Sequence, residues 1–302
     1  MRKLFVYIFL TLVPLSLGAQ ALPFTSADYN PATLAKGGAS LTETSTVAYA
    51  AFANPATIAF YDGKGDTSIG YTMWQPNSVK TDVIVSGDVL KFGDKFGIGV
   101  GLSYGLYPEY TITDLTGYEK GTFKPTNIQF GVGLAYKVLP FLSIGANIGY
   151  AGETLAEGSS STAVDADVFA MVQFGGFKAA LGVSELGGKV TSAAGTAFSI
   201  PTAANLGLGY TLKAGEKHGV DFNADLQYYL KDGIAAAVGA SYAYNDMIFV
   251  RAGYRYGGKT VIPSFASAGV GVKFYGVKLD LAYVLGSSAM GNTLALSLGY
   301  AF

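Results

Sequence analysis

The stretch Asn292-Thr-Leu-Ala-Leu-Ser-Leu-Gly-Tyr-Ala-Phe302 decides the fold class of this 302-residue chain. Every second residue is large and apolar, and the residues between them are small or weakly polar. Because successive side chains of a strand point to opposite faces, the stretch predicts a strand with one apolar face. Its length of about ten residues and its aromatic end are typical of a strand that crosses a lipid bilayer. A half-buried strand of a soluble sheet is the alternative.

The composition of the whole chain favours the bilayer. Half of the residues are hydrophobic, only 14% are charged, and the chain holds 41 Gly, 21 Tyr and 19 Phe. After residue 20 no apolar run is long enough for a membrane-spanning helix. Only helices and closed barrels satisfy every backbone group in lipid. The sequence therefore predicts an all-β fold, a transmembrane antiparallel β-barrel in the outer membrane of a Gram-negative bacterium, in contact with membrane lipid.

Several other classes of protein are excluded. The chain has no cysteine, so disulfides, thiolate chemistry and lipidation of a cysteine are all excluded. The formal net charge is −1, which offers no electrostatic footprint for nucleic acid. Residues 1–19 combine a basic start, an apolar run and a small-residue exit, a pattern that predicts a secretory signal peptide.

From residue 66 to residue 302 the chain reads as about fourteen strands, an even number as single-chain barrels require. The predicted strands are 66–75, 80–90, 96–107, 126–137, 141–152, 164–174, 176–185, 202–213, 218–230, 234–244, 247–257, 265–274, 276–286 and 292–302. Large apolar residues alternate with small or polar ones in most of them, as at 220–228 and 277–285. A soluble sandwich would have less glycine on its second face.

The predicted connections sort by length onto two sides. Short turns are expected near residues 91–95, 138–140, 175, 214–217, 245–246 and 275. Longer loops are expected at 108–125, 153–163, 186–201 and 258–264. Short turns on the periplasmic side and longer loops on the outer side are typical of outer-membrane barrels.

Residues 20–65 differ from the strands because they are rich in alanine and lack sustained alternation. Asn54-Pro55-Ala56 predicts a helix start, with Asn54 as N-cap, and Pro31–Lys36 predicts a helical turn stopped by Gly37 and Gly38. We expect this segment to be a small plug inside the barrel. A disordered periplasmic tail is the alternative, against which its apolar content argues.

Two motifs suggest chemistry but do not support it. Gly253–Thr260 matches the G-x-x-x-x-G-K-[ST] pattern of a phosphate-binding loop, yet it starts inside a predicted strand and Pro263 stands where a helix should begin. His218 is the only histidine and lies near a predicted turn. Nothing marks a nucleophile that would pair with it. No enzyme and no cofactor is predicted.

Charged residues that should point inward suggest a lumen network that holds the plug. They are Asp165, Asp167, Asp221, Asp225, Arg251, Arg255, Lys278 and Asp280. Paired catalytic carboxylates are the alternative interpretation. The small inward residues leave room for a plug or an apolar ligand, so an open diffusion pore is not expected. Tyr300 and Phe302 form a predicted membrane-insertion signal that the barrel-assembly machinery would bind.

The predicted plug resembles the N-terminal signature of the PorV/PorQ family. The matching residues are Leu34–Ser40, the run from Val47 to Ala53, and Asn54-Pro55-Ala56. That family belongs with the FadL-type transporters of hydrophobic compounds. By the matching positions, Gly37, Gly38, Asn54, Pro55 and Ala56 would form the plug.

The resemblance implies two functions. PorV/PorQ proteins serve the type IX secretion system of Bacteroidetes, which predicts a non-enzymatic scaffold or cargo shuttle with secreted proteins or secretion subunits as partners. FadL-type proteins pass long-chain fatty acids or other hydrophobic molecules through the barrel wall, which is the alternative. A structural or adhesive barrel that works through its outer loops is a third hypothesis.

Overall fold

A computed structural model describes residues 21–74, 81–191, 197–258, 260, 262–286 and 291–302. Fourteen strands of this part form one closed antiparallel barrel, in which strands that follow one another along the chain are neighbours. The predicted fold class and the predicted strand number are therefore confirmed. The predicted signal peptide, residues 1–19, lies outside the described residues.

We number the strands β1 to β18 in chain order. The barrel strands are β1 Gly65–Trp74, β2 Thr81–Phe92, β3 Phe96–Leu106, β6 Thr126–Leu139, β7 Leu142–Ala156, β8 Ser159–Phe174, β9 Phe177–Gly187, β12 Ala203–Ala214, β13 His218–Tyr229, β14 Gly233–Tyr244, β15 Ile248–Tyr256, β16 Phe265–Phe274, β17 Val277–Gly286 and β18 Thr293–Ala301. Two small hairpins pair β4 Tyr110–Thr113 with β5 Glu119–Phe123, and β10 Lys189–Thr191 with β11 Ala197–Ser199. Each of the fourteen predicted strands corresponds to one barrel strand.

In most strands the large apolar residues point to the outside of the barrel wall, and the small or polar residues between them point to the inside. In β18, Leu298 is 51% exposed on the outside, whereas its neighbour Ser297 is 3% exposed on the inside. The barrel closes where β18 pairs with β1, from Asp66 opposite Ala301 to Trp74 opposite Thr293. The outer face is apolar on nearly every strand, as lipid contact requires.

The two ends of the barrel differ. At one end the strands join through turns of two or three residues, at 93–95, 140–141, 175–176, 215–217, 245–247 and 275–276. We call this end the turn rim and the opposite end the loop rim. All six predicted short turns are confirmed.

One predicted loop is wrong. The stretch 153–163 forms a long hairpin, because β7 and β8 continue to Ala156 and Ser159 and leave only Glu157 and Gly158 as the turn. Serines and threonines continue the backbone ladder beyond the apolar band, where no lipid imposes alternation. The loops predicted at 108–125 and 186–201 each contain one of the small hairpins, for the same reason.

The segment before the barrel, residues 21–64, is called the N-terminal segment. It contains three 3₁₀-helices, Pro23–Ser26, Ala50–Phe52 and Pro55–Phe60, and one α-helical turn, Pro31–Leu34. Asn30 and Asn54 cap two of them, each accepting a hydrogen bond from the backbone N–H two residues later. None of the helices in the described residues is long and apolar enough to cross a membrane.

The N-terminal segment runs the length of the barrel interior. At the loop rim, Ala21 N donates to Ser199 O of β11 (3.0 Å), and Leu22 packs against inward-facing alanines of β7 and β8. At the turn rim, Lys64 N donates to Phe302 O (2.6 Å). Between these ends, its residues contact inward-facing positions on strands from all around the wall.

Candidate functional site

Glycines on the inner wall let the N-terminal segment lie against the barrel backbone. A Cβ added at Gly253 of β15 would lie 2.1 Å from the carbonyl carbon of Lys36, and one at Gly239 of β14 would lie 2.3 Å from its carbonyl oxygen. Across the barrel, a Cβ at Gly145 of β7 would lie 2.3 Å from Ala56 N. Only glycine permits such an approach, so these positions receive the segment.

A buried lysine is the centre of the polar contacts. Lys36 is 1% exposed, and its Nζ donates to Glu43 Oε2 and to Asn223 Oδ1, each at 2.6 Å. Asp221 Oδ2 lies 3.5 Å from the same Nζ and also pairs with Lys178. Burial opposes both charges, but the close pairing raises the pKa of Lys36 and lowers that of Glu43.

Two strand carboxylates bind the backbone of the segment. Asp225 Oδ2 accepts from the backbone N–H groups of Ser40 (2.7 Å) and Leu41 (2.9 Å). Asp66 Oδ2 accepts from Val47 N at 2.9 Å and Ala48 N at 3.2 Å. The other oxygen of Asp66 accepts from Lys278. Asp225 thereby joins β13 to backbone groups 184 and 185 positions earlier in the chain.

The two arginines of the predicted network have different environments. Arg251 Nη1 donates to Asp280 Oδ1 at 2.6 Å, a buried ion pair within the wall. Arg255 Nη2 donates to Gln227 Oε1 (2.8 Å) and Tyr229 OH (3.4 Å), while its Nε has no hydrogen-bond partner.

Asp165 and Asp167 belong to a separate acidic group on β8. Asp167 accepts from Asn147 Nδ2 (3.1 Å) and from the backbone N–H of Glu185 (2.7 Å). Two residues of β9, Ser184 and Glu185, face Asp167 in a β-bulge, and Glu185 has a φ of +56°. Asp165 Oδ2 and Glu185 Oε2 are buried without a hydrogen-bond partner.

The eight predicted network residues thus do not form one connected network. Asp221, Asp225 and, through Asp66, Lys278 contact the N-terminal segment, whereas Arg251 and Asp280 pair with each other. Sequence reasoning missed Lys36, Glu43, Asp66, Lys178 and Glu185. Alternation in β9 places Lys178 inward and could have identified it, but Lys36 and Glu43 lie where no period exists.

The predicted plug residues hold the turns of the segment. Gly37 and Gly38 have φ of +74° and +78°, a conformation that favours glycine, and Gly37 N donates to Ser267 Oγ of β16 at 2.9 Å. Asn54 Nδ2 donates to Leu41 O at 2.7 Å, and Pro55 begins the last 3₁₀-helix. Ala56 O accepts from Ser143 Oγ of β7 at 2.9 Å.

The predicted insertion residues lie at the turn rim. The rings of Tyr300 and Phe302 stack with their centroids 5.9 Å apart, and both side chains are about half exposed on the outer face. Their role in membrane insertion stays a prediction.

A cavity of about 170 Å³ lies between the N-terminal segment and the wall in the half of the barrel nearer the loop rim. Its lining is mostly apolar, with aromatic side chains from both the segment and the wall. These are Tyr29, Tyr49, Phe52, Trp74, Phe169, Tyr229 and Phe265. Asp28, Asp167, Glu185 and Arg255 also line it. Trp74 is the only tryptophan of the chain.

The two motifs set aside above have no catalytic setting. Gly253 lies inside β15, and Thr260 Oγ1 donates to Gly257 O in a turn; Lys259 lies outside the described residues. His218 is exposed at the turn rim, with its Nδ1 2.6 Å from Tyr242 OH. Within the described residues no group of His, Cys, Asp and Glu is arranged to hold a metal ion.

The described barrel is similar to solved structures of membrane channels. The toluene transporter TbuX of Ralstonia pickettii matches with a TM-score of 0.62 and 12% identity, over 91% of this chain and 98% of that chain. The CymD monoaromatic hydrocarbon channel gives 0.64 and 14%, over 94% and 98%. A Pseudomonas aeruginosa FadL homologue gives 0.52 and 13%, over 90% and 98%.

This chain has the fold of these channels. At such identities the likeness extends to the fold alone and leaves the substrate open. No protein-family model matches the chain, and no curated protein sequence matches it.

Proposed function

We propose that this protein is a FadL-like channel for small hydrophobic molecules in the outer membrane of a Gram-negative bacterium, with residues 21–64 as its plug. The cavity between the segment and the wall is the observation that carries the proposal. Apolar cavities of about 150 Å³ bind benzene. A cavity of about 170 Å³ therefore fits a molecule with one aromatic ring and is too small for a whole long-chain fatty acid.

Two further features support a channel. The similar solved structures include a toluene transporter and a monoaromatic hydrocarbon channel. The regular ladder between β8 and β9 is interrupted beside the cavity, where Ser184 and Glu185 face Asp167. A bulge disrupts the backbone ladder locally, which makes this position the candidate site for a ligand to leave between strands.

The PorV/PorQ resemblance predicts a role in type IX secretion, with exported proteins or secretion subunits as partners. This role stays a prediction. Within the described residues we find no feature that favours it over the channel.

The test uses Trp74, the cavity tryptophan, in the full chain purified in mild detergent. Added toluene should change the fluorescence of Trp74, and the change should reach a plateau as the toluene concentration rises. Ala27 lines the cavity, so Ala27→Phe should abolish the saturable change by filling the space. Ala170 is exposed on the outer face of β8, so Ala170→Phe is the matched control and should bind as the parent does.

Native mass spectra of the same preparation distinguish the two functions. A retained small apolar molecule supports the channel. A stoichiometric protein partner, together with no saturable toluene binding, would overturn the channel in favour of secretion.

A further inference from the structure

The charged groups around the cavity are predominantly acidic. Asp28, Asp167 and Glu185 line it together with one base, Arg255. Glu43 lines it too, but its charge is matched by Lys36 at 2.6 Å. None of the other three carboxylates has a basic partner within salt-bridge distance among the described residues.

Two of these carboxylates keep an unused acceptor. Glu185 is 9% exposed and its Oε2 has no hydrogen-bond partner. Asp28 Oδ1 accepts from Asn30 N (3.0 Å) and Thr33 Oγ1 (2.9 Å), while its Oδ2 is buried and has no partner. Asp167 uses both oxygens, on Asn147 and on the Glu185 backbone. Buried acceptors without partners are costly, and a ligand that donates to them recovers that cost.

Arg255 does not reverse this balance. It is the one cation against three carboxylates without a basic partner; its Nη2 donates to Gln227 and Tyr229, and its Nε has no hydrogen-bond partner. An anionic ligand would gain this one cation and would meet three carboxylates, two of them with open acceptors. A ligand that carries hydrogen-bond donors could donate to the open oxygens of Glu185 and Asp28. A positive charge on that ligand would strengthen these hydrogen bonds.

We infer that the cavity selects a small apolar molecule that bears a donor group, an amine above all, and that Glu185 and Asp28 are its specificity-determining residues. This rests on the proposed function and narrows its substrate class. The apolar lining would bind the ring, and the two carboxylates would bind the donor. A plain hydrocarbon would leave both acceptors unpaired, and a carboxylic acid would be repelled.

Four probes of nearly equal size separate these possibilities: toluene, benzyl alcohol, benzylamine and benzoate. Their affinities would be measured by the fluorescence of Trp74 in the detergent-solubilised full chain. Because a charge-assisted hydrogen bond is about twice as strong as a neutral one, benzylamine should bind about tenfold more tightly than toluene, with benzyl alcohol between them and benzoate weakest.

Variants locate the effect. Glu185→Gln should remove most of the advantage of benzylamine over toluene, and Asp28→Asn should reduce it. Saturable binding of toluene by each variant shows that its cavity still forms. Asp165→Asn, an isosteric change at a buried carboxylate that does not line the cavity, should keep the order of the four probes.

Equal binding of toluene and benzylamine, or tighter binding of benzoate, would overturn the inference and leave the channel proposal standing. An advantage of benzylamine that survives both variants would also overturn it. Binding of none of the four probes would overturn the inference and the proposed function together.

Discussion

At the scale of the residue, small side chains on the inner wall determine how closely the N-terminal segment can lie. Gly253 and Gly239 face the backbone of Lys36, and no flexible side chain stands between them. A methyl group there would therefore displace the segment itself.

Gly253→Ala should loosen the segment without unfolding the barrel. The added Cβ would lie 2.1 Å from the Lys36 backbone, so the Lys36–Gly37 turn has to move. We expect faster hydrogen exchange of the backbone at residues 36–38, measured on the folded barrel, whose heat-dependent gel mobility should stay unchanged. Gly219→Ala is the control, because its Cβ would meet its nearest atom at an ordinary 3.7 Å. Equal exchange rates in the two variants would contradict the packing described above.

Lys36→Met should destabilise the docked segment strongly. The change leaves the buried carboxylate of Glu43 without its cation, and removal of one partner of a buried pair typically costs about 3–5 kcal/mol. Hydrogen exchange of the 36–48 backbone would measure the loss. The double variant Lys36→Met with Glu43→Gln should recover much of it, since no uncompensated charge remains. A single variant with parental exchange rates would refute this role.

At the scale of the element, the first part of the segment carries a pH-dependent group. Burial raises the pKa of Asp28 to about 6, against the hydrogen bonds from Thr33 and Asn30. The docked state therefore holds the proton more tightly than the undocked state, in which the pKa is near 3.8. Docking is strongest below pH 4, weakens as the pH rises to about 6, and is constant above it.

A spin label at Ser26 should report this dependence. The mobility of the label should increase between about pH 4 and pH 6, because the free energy of docking weakens by up to about 3 kcal/mol over this range. Partial exposure of the Asp28 side chain makes the actual change smaller. Asp28→Asn should abolish the change because the amide does not titrate. A pH profile shared by the parent and this variant would place the titrating group elsewhere.

The elements also show which parts of the fold the sequence could predict. Lipid contact imposes an alternation of apolar and small or polar residues on each barrel strand. The sequence of β13 and β17 therefore predicts which side chain points outward and which points inward at each position. Beyond the apolar band this constraint ends, and the hairpin at 153–163 and the pairs β4–β5 and β10–β11 were missed. The contacts of Lys36 with Asn223 and of Asp66 with Val47 depend on tertiary placement, which no local period encodes.

At the scale of the whole molecule, the segment occupies the lumen from rim to rim, so passage of a ligand past it should require the segment to move. A disulfide can test this because the chain has no cysteine of its own. Ala51 Cβ lies 3.8 Å from the position of a Cβ at Gly133, a separation typical of disulfides.

The variant Ala51→Cys with Gly133→Cys should lock the segment to β6. We expect oxidised cells to take up radiolabelled toluene at a small fraction of the parental rate, and a reductant to restore uptake. The single variant Gly133→Cys should be insensitive to oxidation. Full uptake by the locked protein would mean that the segment stays in place during passage.

The seam between β1 and β18 also constrains the order of assembly. It joins the first barrel strand to the last, so the ring closes only after the final strand has been made. The N-terminal segment enters that ring at one rim and ends at the other. Threading it afterwards would draw several buried charges through a finished cylinder. We therefore expect the segment to be enclosed while the sheet is still open. The last strands would then pack around it before β18 pairs with β1.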